Sequence, residues 1–310
     1  MNGNEIKVVG VGGGGGNAVD RMAQAKLKGV ELIVINTDAQ DLKKVRADRK
    51  VRIGRELTRG MGAGMSPETG RKAAEENREE IMEALQGAEM VFLTAGLGGG
   101  TGGGALPVIA EIAKAQGALT IAVVTRPFSF EGSWRIRLAD AALEELRGKV
   151  DTLLLIPNDQ IMKLVDSETT VSAALWKADE ILREAVQGIS DLIAVPGIIN
   201  VDFADVRAIM SKAGNAVFGT GRAKGEKRIE TALDMALHSP LLNLSLKGAK
   251  GVLFNVAGSD DLSLGEIKEA AEKIREEVAP DARVIFGAVT DKSLKPGEIK
   301  LTVIATGFVS

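Results

Sequence analysis

Apolar residues follow two rhythms along this 310-residue chain. Short apolar runs suited to buried strands recur at Ile6–Val11, Leu32–Asn36, Met90–Ala95, Leu119–Thr125 and Thr152–Pro157. Between them lie helical patterns: one starting near Ala18, a charge-laced one from about Pro67 to Leu85, one with Pro107 in its first turn, and one reaching about Gly148. Strand alternating with helix predicts a parallel sheet of the doubly wound α/β kind. From Val171 the apolar positions Ala174, Leu175, Ala178, Ile181, Leu182, Ala185, Val186, Ile189 and Leu192 keep a helical period up to Pro196-Gly197. At 1.5 Å per residue that helix is roughly 35 Å long, about the width of a domain. It is expected to connect a first domain (residues 1–169) to a second (197–310), with 170–196 as the connecting element.

The second part reads as a smaller α+β domain. Its predicted elements are helices over about Phe203–Lys212, Ile229–Leu237 and Leu264–Val278, and strands over Gly251–Ala257, Arg283–Val289 and Ile299–Thr306. A polar turn, Asp291 to Glu298, links the last two strands.

Glycine breaks the pattern in three places. The first run, Gly10-Val-Gly-Gly-Gly-Gly-Gly16, satisfies G-x-G-x-x-G at Gly10, Gly12 and Gly15, and Asp38 follows the next strand at the distance of a ribose-binding acid. Gly60-Met-Gly-Ala-Gly64 is the second. The third, Gly96 to Gly104, has seven glycines in nine positions between an apolar strand and an amphipathic helix. A loop without side chains lets amide N–H groups reach a ligand while the new helix directs its positive end at the same place, which suits an anion. No Gly-Lys-Ser/Thr follows any of these loops, so a Walker-type lysine is absent. A dinucleotide site needs one such loop; three would crowd one edge of a parallel sheet, where open α/β sheets bind ligands.

Composition narrows the field. A hydrophobic content of 45% with 26% charged residues is ordinary for a globular protein, and a net charge of −3 argues against sequence-independent nucleic-acid binding. No cysteine is present, which excludes disulfides, thiolate metal sites and cysteine nucleophiles. The one histidine, His238, cannot build a multi-histidine metal site and reads as a helix-end residue. No apolar run reaches the roughly 18 residues of a membrane span, and residues 1–7 carry no apolar signal, so a cytoplasmic protein without membrane insertion is expected.

Three side-chain pairs each admit a structural and a functional reading. Glu131 and Arg135 are four apart at a helix start: a surface ion pair, or two groups reaching one ligand. Trp176 and Asp179 are three apart on the long helix: a core tryptophan with a solvated acid, or a plane and a carboxylate for guanine, whose N1–H and 2-amino group donate. Asp202 and Asp205 flank a helix start: an N-cap and first-turn acid, or carboxylates that orient a water.

Taken in order, Gly12–Asn17, Gly62–Gly64, Gly98–Gly104, Arg126–Gly132, Ile156–Asp159 and Asn200–Asp205 resemble the nucleotide and catalytic segments of the FtsZ family, the prokaryotic relatives of tubulin. The resemblance spans essentially the whole chain. It implies a tubulin/FtsZ-like fold, a Rossmann-like GTPase domain joined by a central helix to an α+β domain. It also implies a GTP-binding, polymerising cell-division protein that hydrolyses GTP to GDP. By the same resemblance Gly13, Gly14, Asn17, Ala63, Gly64, Gly100, Thr101 and Gly102 would meet the phosphates. Glu131 and Arg135 would meet the ribose and phosphate region, and Asn158, Trp176 and Asp179 the guanine. Asn200, Asp202 and Asp205 would act on the GTP of the next subunit in a head-to-tail filament, with Mg²⁺ held by the phosphates rather than by protein ligands. The division site in the cytoplasm, and other division-ring proteins as partners, are likewise implied. Gly103 departs from the family's usual Ser or Thr, and Trp176 from its usual Phe. The sequence ends at Ser310, short of the tail through which family members bind anchoring partners, so tail-dependent partners are not expected. Two alternatives remain open: a nicotinamide-dependent oxidoreductase, suggested by the first glycine loop, and a filament protein impaired in hydrolysis, suggested by Gly103.

Overall fold

Glycine sets the first surprise of the architecture, because residues expected to form loops begin helices instead. In a computed structural model that describes residues 6–166, 168–195, 197–242, 246–291 and 294–308, strand β1 (Ile6–Val11) passes directly into α1 (Gly12–Gln24), six residues before the predicted start at Ala18. Gly12, at φ +71°, makes the turn that a side chain would resist. The chain continues through β2 (Glu31–Asn36), α2 (Ala39–Lys44), β3 (Arg49–Arg52), α3 (Arg55–Thr58), α4 (Pro67–Glu76) and α5 (Arg78–Leu85). The helix predicted as one piece from Pro67 to Leu85 is thus two, divided at Asn77, whose Oδ1 accepts from Gly54 N at 2.8 Å. Then come β4 (Met90–Gly96), α6 (Gly100–Ala115), β5 (Leu119–Arg126), α7 (Ser133–Arg147), β6 (Thr152–Pro157), α8 (Asn158–Ile161) and α9 (Val171–Ala194). Helix α6 starts in the middle of the glycine run, so Pro107 lies inside the helix rather than in its first turn. The proline removes the N–H that the Gly103 carbonyl would accept.

The chain divides into two compact units, Met1–Val186 and Gln187–Ser310. In the first, β1–β6 are all parallel, in the order β3–β2–β1–β4–β5–β6. Successive residues of a strand face opposite sides, so Ile33 and Ile35 join a core with Ile81, Leu106, Ile109 and Leu143 on one face. Val34 faces the other, toward Gly16 of α1. The order of strands reverses between β1 and β4, and the glycine-started helices α1 and α6 leave the sheet there. In an open parallel sheet that reversal is the place for a ligand.

The second unit contains α10 (Phe203–Met210), β7 (Gly214–Lys224), α11 (Arg228–Leu237), β8 (Gly251–Gly258), α12 (Leu264–Glu277), β9 (Arg283–Thr290) and β10 (Glu298–Thr306). Its strands run β7–β10–β8–β9, with β10 antiparallel to β7 and β8, and β8 parallel to β9. Strand β7 was not predicted. It carries Gly219 and Gly221, where a side chain would overlap the Ala236 and Ala232 carbonyls of α11. The glycines that hide the strand in the sequence let the helix lie on it. Arg228, 7% exposed, donates to Glu266 and Asp261 and so ties α11 to α12 and the turn before it. Residues 292 and 293 of the predicted polar turn, and the predicted stop at Pro196, lie outside the described residues; the long helix ends at Ala194. Among the described residues no helix is long and apolar enough to cross a membrane.

Two adjacent glycines of α6 are predicted to respond oppositely to the same substitution. A methyl at residue 103 would rest 3.6 Å from Ala142 Cβ, whereas one at residue 104 would overlap the Pro67 carbonyl of α4. Gly103→Ala should therefore be neutral or stabilising by up to about 1 kcal/mol, and Gly104→Ala destabilising by about 2 kcal/mol or more. Urea unfolding of the two variants checks both signs.

Candidate functional site

At the strand reversal, backbone meets backbone. A side chain at Gly12 would crowd Gly102 N and Thr101, one at Gly14 would crowd Gly96 N, and one at Gly100 would crowd Ser66 N and Ala63. The three glycine segments therefore pack on one another, as their position at one sheet edge implied. Gly13, Gly14, Asn17 and Gly64 are exposed on this edge, while Ala63, Gly100, Thr101 and Gly102 are buried. Two helix N-termini without side-chain caps open there, and their first-turn amides and dipoles provide a positive field. Beside α1, Gly13, Asn17, Asn36, Asp41 and Lys44 line a recess of about 110 Å³.

Asp38 does not behave as the free ribose acid that a dinucleotide fold needs. Its Oδ1 accepts from Gln40 N at 2.8 Å and from Asp41 N at 3.0 Å, capping α2. The neighbouring Thr37 hydroxyl lies 2.6 Å from that of Thr101, which joins the β2 end to the first turn of α6. Sequence reasoning missed Thr37, because nothing in its surroundings along the chain marks a partner 64 residues away.

The loops after β5 and β6 form the next part of the edge. Glu131 and Arg135 do form the i,i+4 ion pair, at 2.5 Å, and the second Glu131 oxygen accepts from Phe128 N at 2.9 Å. Ser129 N donates to Asp159 Oδ1, joining this loop to the start of α8. Two buried atoms here have no hydrogen-bond partner among the described residues: Arg135 Nε and Asn158 Oδ1. A buried donor and a buried acceptor left unpaired cost free energy unless a ligand or water meets them, so this part of the edge fits a polar ligand.

On α9, Trp176 and Asp179 reach one common group within the chain. Both engage Arg21 of α1, a residue the sequence reading did not single out although it lies four after Asn17 on the same helix. Arg21 Nε and Nη2 donate to Asp179 Oδ2 at 3.2 and 3.1 Å, and the guanidinium sits 5.0 Å from the Trp176 ring centroid. Trp176 is 49% exposed, so it is not a core tryptophan. Burial pushes the Asp179 carboxyl up to about 6, against the opposing pull of Arg21.

The second unit holds the remaining predicted residues. Ile198 N and Ile199 N donate to the Ala288 carbonyl of β9, and Ala288 N returns a bond to Ile199 O. Val201 is buried, while Asn200, Asp202 and Asp205 are exposed. Asn200 Oδ1 accepts from Gly197 N at 2.7 Å, closing the turn on itself. Asp202 occupies the N-cap position of α10 and Asp205 its first turn, but the Asp202 side chain makes no capping bond. The side chain of residue 103 would point toward Ala142 and Pro67.

Removing Arg21 should expose the burial cost of Asp179. The raised carboxyl means the folded state holds a proton that the unfolded chain releases, so this group's contribution to stability falls as pH rises from about 4 to about 6. Without Arg21 the shift grows. Arg21→Ala should destabilise by about 1–3 kcal/mol at pH 8, clearly less at pH 5, and adding Asp179→Asn should recover most of the loss. Denaturant unfolding at the two pH values tests this.

The geometry agrees with what known proteins show. Residues 5–166 match the tubulin/FtsZ family GTPase domain, and residues 214–309 the FtsZ family C-terminal domain. FtsZ from M. jannaschii, solved as an empty dimer, is 45% identical, with TM-score 0.95 over 99% of this chain and 89% of that one. A mutant of that FtsZ gives TM-score 0.94 at 45% identity over 98% and 91% of the two chains. CetZ2 from Haloferax volcanii, solved as a GTPγS-bound protofilament, shares the fold at 24% identity and TM-score 0.82 over 98% and 93%. A parallel sheet with amide-lined helix starts at its reversal, an Asp38 already committed to a helix cap, and matches over both units leave no place for a nicotinamide enzyme: the chain belongs to the tubulin/FtsZ family of GTPases.

Proposed function

We propose that the chain binds GTP at the β1/β4 reversal, assembles head to tail with copies of itself, and hydrolyses GTP between subunits as a cytoplasmic filament protein of cell division. The observation that carries this reading is the pair of adjoining helix starts, α1 and α6, walled by the Ala63–Gly64 loop. Amides of Gly13, Gly14, Gly100, Thr101 and Gly102 meet the phosphates, and Asn17 and Arg135 reach the same group. Asn158 offers its unpaired Oδ1 to the base. Asp179 accepts from the guanine N1–H and 2-amino group beside the Trp176 ring, and Arg21 favours the ionised carboxylate this requires. Adenine carries an acceptor at N1 and is repelled.

Self-association accounts for the two separate sets of residues. Leu57, Met61, Met65, Phe130, Trp134 and Met162 are large apolar side chains exposed by 41–79% on the segments around the candidate site, an arrangement that suits burial by another copy. FtsZ from M. jannaschii, of the same fold, is described as a dimer. An open head-to-tail contact gives a filament, and the exposed Asn200, Asp202 and Asp205 of one subunit then orient the water that attacks the γ-phosphate bound by the next. Among the described residues no cluster of acidic side chains would hold a metal, so a Mg²⁺ would come with the nucleotide and would supply charge neutralisation at the γ-phosphate.

Asp205→Ala should still bind GTP and sediment as polymer while phosphate release falls by about 10²-fold or more; normal turnover would remove this loop from the mechanism. GDP affinity should weaken as pH is lowered through about 6, where Asp179 takes up its proton. Asp179→Asn should bind more weakly at pH 8 and lose that pH dependence, which separates the base from titration of the phosphates in a calorimetric series.

A further inference from the structure

The hydroxyl pair between Thr37 and Thr101 has a direction that the surroundings determine. Thr37 is fully buried at the end of β2, and among the described residues its Oγ1 has one hydrogen-bond partner, Thr101 Oγ1 at 2.6 Å. Either oxygen could donate when the pair is alone. A threonine hydroxyl has one proton and two lone pairs, so only one orientation uses both protons once an acceptor arrives beside Thr101. Thr37 must then donate to Thr101, and Thr101 must donate outward. The opposite orientation points the Thr101 proton inward, leaves the Thr37 proton unused in a dry site, and turns a lone pair toward the incoming anion.

Thr37 is held where this requires. Its carbonyl accepts from Thr58 Oγ1 at 3.3 Å, Ile53 N donates to the preceding Asn36 carbonyl, and the following Asp38 caps α2. Thr101 is held equally well, 8% exposed in the first turn of α6 and against Gly12 at the start of α1. A hydroxyl between two helix N-termini faces a field that favours an anion, and a donor chain of two hydroxyls polarises toward it.

We propose that Thr37, which lies outside all three glycine segments, is a positioning residue that sets the Thr101 hydroxyl proton toward a phosphate oxygen of the bound guanine nucleotide. The inference rests on the GTP-binding reading above and adds a residue to it. It predicts that the nucleotide's phosphates, and not its base, sense the Thr37 hydroxyl.

The test compares GDP with guanosine on the full chain by calorimetry, for wild type and the near-isosteric Thr37→Val. The variant should lose about tenfold in GDP affinity, the scale of one charge-assisted hydrogen bond, with guanosine affinity unchanged. Thr37→Ser should restore GDP binding, and Thr37→Val should cost nothing further in a Thr101→Val background. Equal GDP affinity in wild type and Thr37→Val overturns the proposal and leaves the binding reading intact. A parallel loss for GDP and guanosine also overturns it, by showing a merely structural role. Wild type that binds no guanine nucleotide removes both. Should Thr37→Val fail to fold, threonine-labelled wild type serves: a slowly exchanging Thr37 hydroxyl proton in the GDP complex is expected, and exchange at the bulk rate overturns the assignment.

Discussion

Helices α1 and α6 begin so close together that Gly12 touches Thr101 and Gly102, and this backbone-to-backbone approach is the constraint around which the first unit is arranged. It fixes the composition of two loops, because any side chain at the contact would drive the helix starts apart. It also sets the chemistry available at the sheet edge. Peptide dipoles contribute positive potential there, and the polar side chains nearby enter from farther along: Asn17 and Arg21 from α1, Thr37 from the end of β2, Lys44 from α2, Arg135 from α7. The second glycine segment completes the arrangement: its Ala63, and Ser66 just after it, pack against the first residue of α6.

Much of this was legible in the sequence, and the reasons are physical. Buried parallel strands are continuous apolar runs, so β1, β2, β4, β5 and β6 announce themselves, and the long amphipathic period of α9 does the same. Three glycine segments, each near a strand end or a helix start, suffice to place them at one edge. What stayed hidden depends on partners distant in sequence. Strand β3 is Arg-Lys-Val-Arg and looks like a polar loop; it is a strand because β2 offers it an edge. Strand β7 is interrupted by glycines that make sense only once α11 lies against them. The helix starts were misplaced for a related reason: glycine is a poor helix former in isolation, and only tight packing makes Gly12–Gly16 and Gly100–Gly104 helical.

The side-chain pairs show the same division. Spacing correctly brought Glu131 to Arg135, a local contact. It also put Trp176 and Asp179 within reach of one group, but could not reveal that this group, in the folded chain, is Arg21, 158 residues from Asp179. In the second unit the turn at Asn200 owes its shape to two-way hydrogen bonding with Ala288, which no local pattern encodes. The exposed carboxylates Asp202 and Asp205 are therefore carried on backbone anchored to a sheet, and not on a free loop.

The reliance of the glycine-lined edge on backbone has a consequence for control. Peptide dipoles have no proton to gain or lose, so the attraction they exert on an anion is constant across the physiological pH range. Asp179 is different, since its charge is poised near pH 6 by burial and by Arg21. A ligand with a phosphate end and a base end would be gripped by two unlike devices, one fixed and one adjustable. Acidification would weaken the carboxylate's part in reading a base without altering the peptide dipoles, so that on the protein's side selectivity and grip rest on separate devices.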